Sequence, residues 1–200
     1  MLVVVRHGST KLNGPGGDDK FRGWKDIPLS PHGRNEAMNT ADKLKQFNIP
    51  IENHFTSPLK RAVQTSDEIS NELGSKFEKN DGLKDWHIGE FEGKSVSSNL
   101  QAIHHYIDNP DERVPGGESY NQFLGRVVPF LKDLVENGRN DMAVTHNRLT
   151  TLLHAMAESK GQGISKKILK QKGPIEPGGI MMIHPDWSTQ ILDKGSKNEA

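Results

Sequence analysis

The stretch Met1-Leu2-Val3-Val4-Val5-Arg6-His7-Gly8-Ser9-Thr10 decides the fold, because an aliphatic run stops abruptly at a cation, an imidazole and a glycine. A short apolar run that ends in a turn signal is typical of a strand buried on both faces. The polar triplet Arg6–Gly8 then falls at the carboxyl end of the strand, which is the edge where open α/β sheets bind ligands. We therefore expect a ligand site where this strand ends.

The chemistry of the triplet points to an oxyanion. Arg6 offers a planar fork of donors that suits phosphate. His7 has a neutral form that is available at pH 7 and nucleophilic at nitrogen. Gly8 lets the backbone pass close to a bound group. Together they suggest a histidine that attacks a phosphoryl group held by arginine, although a solvated arginine and a hydrogen-bonded histidine are the alternative for a motif this short.

Length and composition restrict the class of protein. The 200 residues suffice for one domain, and we expect a single catalytic domain over residues 1–200. With 26 basic and 26 acidic residues the chain has no net charge, so we expect neither nucleic acid nor a membrane as a partner. The absence of cysteine excludes disulfides, thiol catalysis and cysteine-based zinc sites. No basic leader or long apolar stretch is present, so the prediction is a cytoplasmic protein.

Two further strand ends carry polar side chains. Residues 53–56 and 141–145 read as strands, and Ser57-Pro58 predicts the start of a helix that places Arg61 in its first turn. A guanidinium beside a helix N-terminus favours an anion, although a solvated surface arginine is the alternative. The pair His146-Asn147 follows the later strand as Arg6-His7 follows the first, so a second imidazole is expected at the same edge.

The remaining segments are less regular. Lys11–Lys25 is rich in glycine and proline, which predicts a long functional loop. Residues 95–118 look like an irregular excursion with a short helix around Leu100–Ile107, and its His104-His105 pair is interpreted as two surface histidines because adjacent helical residues point apart. No metal site is predicted. A hairpin over residues 178–192 ends the fold, and residues 192–200 are predicted to fray.

Taken together, the motifs resemble the histidine phosphatase superfamily, the phosphoglycerate mutase-like enzymes. The segments that carry this resemblance occur in order along roughly the first three quarters of the chain: Leu2–Thr10, Phe21-Arg22-Gly23-Trp24 through Ser30, Thr56-Ser57-Pro58 through Arg61 and Thr65, Pro115-Gly116-Gly117-Glu118-Ser119, and Val144-Thr145-His146. The resemblance implies an α/β fold: a three-layer α/β/α sandwich with a mostly parallel central sheet.

The resemblance also implies phosphoryl transfer through a phosphohistidine, with no metal or other cofactor and a small phosphoester as substrate. His7 would attack phosphorus in line, while Arg6, Arg61 and His146 hold the three equatorial oxygens.

Other residues would contact the substrate. Thr10 and Asn13 match family positions that touch the phosphoryl group, and Arg22 is expected to bind the far end of the substrate, with Gly23 beside it. Asn147 replaces a glycine that is frequent in the family. Its amide contacts substrate or, alternatively, the residue adopts the left-handed conformation that asparagine tolerates.

The general acid is a second departure from the family pattern. Mutase-like members usually carry a glutamate four residues before the glycine that Gly89 matches, and this chain has Asp85 there. We expect Asp85 to be the acid, with Glu90 as a substitute and an ordinary surface carboxylate as the third alternative.

The reaction itself has three candidate assignments. Hydrolysis is favoured, because Arg113 is the only arginine between Gly93 and Pro115 and a mutase needs more cations to clamp a bisphosphorylated acid. A 2,3-bisphosphoglycerate-dependent phosphoglycerate mutase is the alternative, supported by the mutase-like segments 21–24 and 126–130. A non-catalytic phospho-ligand binder is the third. The oligomeric state is open, with a homodimer paired along a free sheet edge beside the first strand as one alternative.

Overall fold

The computed structural model describes residues 1–13 and 19–195, and within them six strands form one sheet. The strands are β1 (Leu2–Arg6), β2 (Asn53–Thr56), β3 (Glu78–Lys79), β4 (Asp141–Thr145), β5 (Ile180–Ile183) and β6 (Thr189–Asp193). The α-helices are α1 (Pro31–Phe47), α2 (Lys60–Leu73), α3 (Val96–Asp108), α4 (Tyr120–Glu136), α5 (Asn147–Ala157) and α6 (Lys166–Leu169). Short 3₁₀ turns span Asp81–Leu83 and Gly89–Phe91.

The sheet is mostly parallel, as predicted. Its strand order is β3-β2-β4-β1-β5-β6. The pairs β2–β3, β2–β4 and β1–β4 are parallel, whereas β5 runs antiparallel to both β1 and β6. The carboxyl ends of β2, β4 and β1 therefore meet at one edge of the sheet, with β4 in the middle.

Helices cover both faces of the sheet, which confirms the three-layer prediction. Side chains of β1 alternate between two apolar cores, because successive residues of a strand point to opposite faces. Leu2 and Val4 join the core that includes buried residues of α3, α4 and α5. Val3 and Val5 join the core that includes buried residues of α1 and α2. All five residues of β1 are buried, as expected for a central strand.

The two helices that follow strand-end loops begin differently from each other. Helix α1 has Pro31 in its first turn and Ser30 Oγ accepting from Gly33 N at 3.0 Å. Helix α2 was predicted from Pro58 but begins at Lys60. Its first residue donates its N–H to Asp26 Oδ1 of a distant loop at 2.7 Å, and Leu59 makes no side-chain cap. The capping oxygen thus comes from outside the helix.

Three other expectations differ from the structure. Helix α3 is longer than the predicted Leu100–Ile107 piece, because burial of Ile103 and Ile107 outweighs the weak helix propensity of its serines and asparagine. Strand β6 reaches Asp193, which pairs with Ile180, so residues 192–193 belong to the strand and are not frayed. Strand β1 has no free edge on which a homodimer could pair, since β4 and β5 flank it.

The glycine-rich part of the predicted loop, Gly14–Gly17, lies outside the described residues. None of the helices within residues 1–13 and 19–195 combines the length and the apolar character that crossing a membrane would require.

Candidate active site

Two imidazoles meet at the carboxyl edge of the sheet. Arg6 pairs with Thr145 in the β1–β4 ladder, so His7 and His146 leave neighbouring strands at the same level. Their ring centroids lie 5.1 Å apart with the planes inclined by 61°. Both side chains are buried. The structure therefore brings together the two histidines that the sequence places far apart.

The environment of His7 selects one tautomer. Nδ1 lies 2.7 Å from the carbonyl oxygen of Gly8, which can only accept, so Nδ1 carries the proton. Nε2 is left with its lone pair, and it accepts a hydrogen bond from Arg61 Nε at 3.2 Å. Burial, reinforced by the charges of Arg61 and Arg22, lowers the pKa of His7 well below its ordinary 6.5. At neutral pH the ring is therefore uncharged and nucleophilic at Nε2.

His146 is held by a side chain that follows β2, the third strand whose carboxyl end lies at this edge. Its Nε2 lies 2.7 Å from Oγ of Ser57, the residue that follows β2. Its Nδ1 is buried and has no hydrogen-bond partner within the described residues. Burial, together with the charges of Arg61 and of His7, lowers the pKa of His146 well below 6.5. A buried nitrogen without a partner beside His7 is suited to a ligand atom.

Arg61 connects His7 to the loop that follows β1. Its Nη2 donates to Gly23 O at 2.7 Å and its Nη1 donates to Lys25 O at 3.0 Å. Gly23 adopts a φ of +47°, and a Cβ there would approach Glu92 Oε1 to 2.5 Å, so glycine is required. Burial lowers the pKa of Arg61 to about 10, and nearby Asp85 opposes the shift. The guanidinium remains charged at neutral pH.

Arg6 and Arg22 add two more guanidiniums to the site. Arg6 Nη1 donates to Ile175 O at 2.9 Å and lies 3.7 Å from Glu176 Oε2, while its buried Nε has no partner within the described residues. Burial lowers the pKa of Arg6 to about 10. The charge of Arg22 contributes to lowering the pKa of both histidines, so Arg22 lies within electrostatic reach of them. Arg22 Nη1 donates to Asp19 Oδ1 at 2.8 Å.

Asp85 and Glu90 occupy different surroundings. Asp85 Oδ2 lies 3.7 Å from Arg61 Nη2, and the side chain is 17% exposed at the wall of a cleft. Glu90 is 56% exposed, lies 3.7 Å from Lys94 Nζ and does not line the cleft. The geometry favours Asp85 over Glu90 as a proton donor. Glu92, whose pKa burial raises, uses Oε1 to accept from Trp24 N and also lies outside the cleft lining.

The other predicted contact residues divide into two groups. Asn13, Arg22, Gly23 and Asn147 line the cleft. Thr10 is buried and does not line it; its backbone N–H donates to Asn13 Oδ1 at 2.8 Å, which holds Asn13 at the wall. Asn147 is the first residue of α5 and is helical, so the left-handed alternative is wrong. Its Oδ1 is buried and unpaired within the described residues.

The cleft itself has a volume of about 590 Å³. Its lining carries five cationic side chains (Arg6, Arg22, Arg148, Lys170 and Lys172) against three carboxylates (Asp19, Asp85 and Glu176). One wall is apolar and comes from Phe21 and from Val96, Leu100 and Ile103 of α3. The cleft therefore combines cationic side chains that include Arg6 with apolar side chains of α3, whereas His7, Arg61 and His146 are buried and do not line it.

Three supporting residues were missed from the sequence. Ser57 follows β2 just as His7 and His146 follow their strands, and this parallel could have identified it. Thr65 accepts from Gly8 N at 3.1 Å, and buried Glu36 accepts from Ser9 N at 2.5 Å and from Ser9 Oγ at 3.1 Å. Glu36 lies on the buried face of α1, where an acid is an unusual residue that could also have been noticed.

The structure adds a reason for Gly8 and corrects the interpretation of the histidine pair of α3. A Cβ on Gly8 would lie 2.3 Å from Gly33 O, so glycine at this position allows the start of α1 to approach. His105 is exposed and lies 2.8 Å from Glu112, but His104 is half-buried and lines the cleft, so only His105 is a surface histidine. In the part of the chain that the structure describes, no three histidine or acidic side chains are grouped to hold a metal ion.

The carboxyl edge of an α/β sheet is where such folds bind ligands, and here that edge carries an arginine and a neutral, buried histidine. The family is defined by sequence: residues 2–169 match the model of the histidine phosphatase superfamily (branch 1), and the chain belongs to that superfamily. The resemblance predicted from the motifs is thereby confirmed.

Relatives with curated names are called mutases. The chain is 31% identical over 188 residues to a 2,3-bisphosphoglycerate-dependent phosphoglycerate mutase of a Bradyrhizobium species, covering 88% of this chain and 89% of that protein. It is 30% identical over 186 residues to the protein of the same name from Cytophaga hutchinsonii, covering 87% and 85%.

Similar solved structures carry both kinds of name. A mycobacterial glucosyl-3-phosphoglycerate phosphatase superimposes with a TM-score of 0.72 over 98% of both chains at 20% identity, which shows the fold. A phosphoglycerate mutase from Thermus thermophilus superimposes with a TM-score of 0.68 at 25% identity, over 98% of this chain and 99% of that one. The members of the superfamily similar to this chain are thus phosphatases or mutases.

Proposed function

We propose that the protein is a metal-independent phosphatase that hydrolyses a small phosphorylated metabolite through a phosphohistidine on His7. The observation that carries this proposal is the state of His7, whose neutral ring has Nδ1 bound to Gly8 O and Nε2 directed at Arg61. A nucleophile needs a free lone pair at the attacking atom and a cation beside the charge that it attacks. The lone pair of Nε2 is unprotonated and faces a cation, and it becomes free for the attack when Arg61 Nε exchanges Nε2 for a phosphoryl oxygen.

The first step transfers the phosphoryl group to the enzyme. Nε2 of His7 forms a bond to phosphorus while the bond from phosphorus to the alcohol oxygen breaks. The proton of the Asp85 carboxyl passes to that oxygen, and the alcohol leaves. The phosphorylated ring carries a positive charge, which its Nδ1–H shares with Gly8 O.

The second step returns the enzyme to its starting state. A water molecule attacks phosphorus and gives a proton to the Asp85 carboxylate, while the electrons of the nitrogen–phosphorus bond return to Nε2. Inorganic phosphate is released with His7 neutral and Asp85 protonated. Arg6, Arg61 and His146 surround the position of the phosphoryl oxygens and stabilise their charge in both steps.

The cleft lining supports hydrolysis. Arg113, the only arginine of the middle segment, donates to Gly117 O and does not line the cleft. In its place α3 supplies an apolar wall, which would bind a carbon skeleton better than a second phosphate. We infer that the alcohol part of the substrate places carbon against α3, while Arg148, Lys170 and Lys172 of the same lining would accept an anionic group.

Isomerisation of phosphoglycerate is the second candidate, and the names of the curated relatives carry it. The two reactions share the phosphohistidine and differ in what accepts the phosphoryl group. A mutase returns it to the bound acid, whereas a phosphatase gives it to water. Cytoplasmic localisation, the single domain, the oligomeric state and the absence of a cofactor stay predictions, and a phospho-ligand binder is the outcome expected if no turnover occurs.

The test is to trap the intermediate and to follow both reactions. The protein is incubated with phosphoesters that include 3-phosphoglycerate primed with 2,3-bisphosphoglycerate, quenched in alkali and analysed by mass spectrometry. We expect phosphate on the peptide that contains residue 7, and phosphate release that exceeds isomerisation. His105→Ala, which changes an exposed histidine, serves as the control for His7→Ala.

Two outcomes would contradict the proposal. Phosphate release by His7→Ala at the wild-type rate would remove His7 from the mechanism. Isomerisation that is faster than phosphate release would establish the second candidate instead.

A further inference from the structure

The segment that carries Asp85 is fastened to helix α4 by one arginine. Arg126 Nη1 donates to the carbonyl oxygens of Asp81 at 2.8 Å and Lys84 at 3.2 Å, and its Nη2 donates to Asp85 O at 3.0 Å. The same Nη2 contacts Glu118 Oε1 at 2.8 Å. A single guanidinium therefore fixes three carbonyl groups of residues 81–85.

The loop that follows β1 also holds the carbonyl group of Asp85, through Trp24. Trp24 Nε1 donates to Asp85 O at 2.7 Å, so that oxygen accepts from both Trp24 and Arg126, whose guanidinium lies 5.5 Å from the centroid of the same indole. The indole ring is itself fixed: it stacks on His87 with centroids 4.7 Å apart and planes inclined by 17°, and Lys84 Nζ lies 3.9 Å from its centroid. Stacking on His87 and the contact with Lys84 leave the indole little freedom to move its N–H.

Trp24 also lies between the two residues that Arg61 binds. Arg61 donates to the carbonyl oxygens of Gly23 and Lys25, the neighbours of Trp24 on either side. A closed series of contacts then runs from His7 Nε2 to Arg61, through the loop to Trp24, on to Asp85 O, and from Asp85 Oδ2 back to Arg61 at 3.7 Å. The distance between Nε2 of His7 and the carboxyl group of Asp85 is set by this series.

The identity of the acid makes this support important. Aspartate has one methylene fewer than glutamate, so its carboxyl group stays close to its own backbone. Asp85 Oδ1 accepts from the backbone N–H of Trp86 at 3.0 Å, which further limits rotation of the side chain. The backbone must therefore bring Oδ2 to the reacting oxygen, because the side chain has little additional reach.

From these contacts we propose that Trp24 and Arg126 are positioning residues for the general acid, and that the Trp24 Nε1–H donor holds Asp85 at the distance that protonation of the leaving alcohol requires. The inference rests on the proposed function, because it needs Asp85 to act as the acid. It adds two residues to the machinery of the site, neither of which contacts the reacting atoms.

Leaving groups of different basicity test the inference. p-Nitrophenyl phosphate releases a weakly basic oxygen that needs no acid, whereas benzyl phosphate releases an alkoxide that needs a proton. Trp24→Phe keeps an aromatic ring and removes the N–H. We expect it to lower kcat/KM for benzyl phosphate by about tenfold or more, with kcat/KM for p-nitrophenyl phosphate and inhibition by inorganic phosphate within about twofold of wild type.

Two other variants serve as references. Trp187→Phe removes an indole N–H that donates to Glu136 and makes no contact with Asp85. We expect it to leave kcat/KM for both substrates unchanged. Asp85→Asn is expected to show the leaving-group pattern of Trp24→Phe with a larger effect. Arg126→Lys, which keeps the charge but replaces the two donor nitrogens with one, should fall between wild type and Trp24→Phe for benzyl phosphate.

The outcomes separate the two proposals. An equal fall for both substrates in Trp24→Phe, or no fall for benzyl phosphate, overturns the positioning role while His7 and Asp85 keep theirs. If Asp85→Asn shows no dependence on the leaving group, the assignment of the acid in the proposed function fails, and the positioning role fails with it.

Discussion

Arg61 points its Nε at Nε2 of His7 across 3.2 Å, so the cation faces the atom that is proposed to attack phosphorus. The other two nitrogens of the guanidinium donate to backbone carbonyls of the loop. In the proposed mechanism the phosphoryl group enters beside this contact, and Arg61 Nε exchanges an imidazole nitrogen for a phosphoryl oxygen. The fork of donors matters as much as the charge.

Arg61→Lys is predicted to inactivate the enzyme although it keeps the charge. A lysine cannot contact His7, Gly23 and Lys25 at once, so we expect kcat/KM to fall by about 100-fold or more. The loss of buried hydrogen bonds should lower the free energy of unfolding by about 2–4 kcal/mol, measured by urea denaturation. Arg113→Lys, whose guanidinium contacts Gly117 O, is the control. Activity near the wild-type level in Arg61→Lys would contradict the role given to the fork.

The two buried histidines predict that stability falls in mild acid. Their pKa values in the folded protein lie well below 6.5, so the unfolded chain binds protons at a pH where the folded one does not. The free energy of unfolding is therefore highest above pH 6.5. It falls as the pH drops towards the pKa values of the folded protein, by up to about 1.4 kcal/mol per pH unit for each histidine.

Urea denaturation between pH 7.5 and 5 measures this slope. His7→Gln, which does not titrate, is expected to reduce it. An equal slope in wild type and His7→Gln would show that His7 does not resist protonation.

Ser57→Ala is predicted to weaken catalysis without affecting substrate preference. Removing the hydroxyl leaves His146 Nε2 buried without its 2.7 Å partner, and the ring can then tilt away from the phosphoryl position. We expect kcat/KM to fall by about tenfold and stability to fall by about 1–3 kcal/mol. Ser66→Ala removes a buried serine of α2 that bonds Val63 O, and it controls for packing. If both variants have the same activity, Ser57 does not orient His146.

The apolar wall of the cleft predicts a preference for substrates with an apolar alcohol part, and substitution of Leu100 should weaken that preference. This side chain is 39% exposed, so Leu100→Ser should fold normally. Because the substitution removes apolar surface from α3, we expect KM for naphthyl phosphate to rise by about threefold to tenfold, with KM for glycerol phosphate nearly unchanged. The exposed Met38 of α1 provides the matched control, Met38→Ser. A change that is equal for both substrates would show that α3 does not contact the alcohol part.

Strand ends made most of the site predictable from sequence. Arg6, His7 and His146 each follow an apolar run, and the rule that parallel strands place their carboxyl ends together brings such residues to one edge. The same rule applied to β2 would have identified Ser57. Arg61 was placed correctly in the first turn of α2 even though the helix begins two residues later than predicted, because its position depends on the strand before it.

What could not be predicted depends on contacts between segments distant in sequence. The three carbonyl groups held by Arg126 and the stacking of Trp24 on His87 have no periodic pattern. The half-buried position of His104 depends on the packing of α3 against the cleft, which neighbouring residues do not specify. The central position of β1 depends on which later strands pair with it.

The pairing of β1 with β4 and β5 also determines when the site can come into existence. Arg6 reaches its ladder partner Thr145 only after most of the polypeptide has been synthesised, and Val5 needs Ile180, which is made later still. Contacts this distant in sequence form slowly during folding. A nascent chain that ends before these strands has an ordinary, solvated imidazole at residue 7. The low basicity of His7, on which the proposed chemistry depends, is therefore acquired only as the last central strands assemble. Ribosome-bound intermediates should be inert.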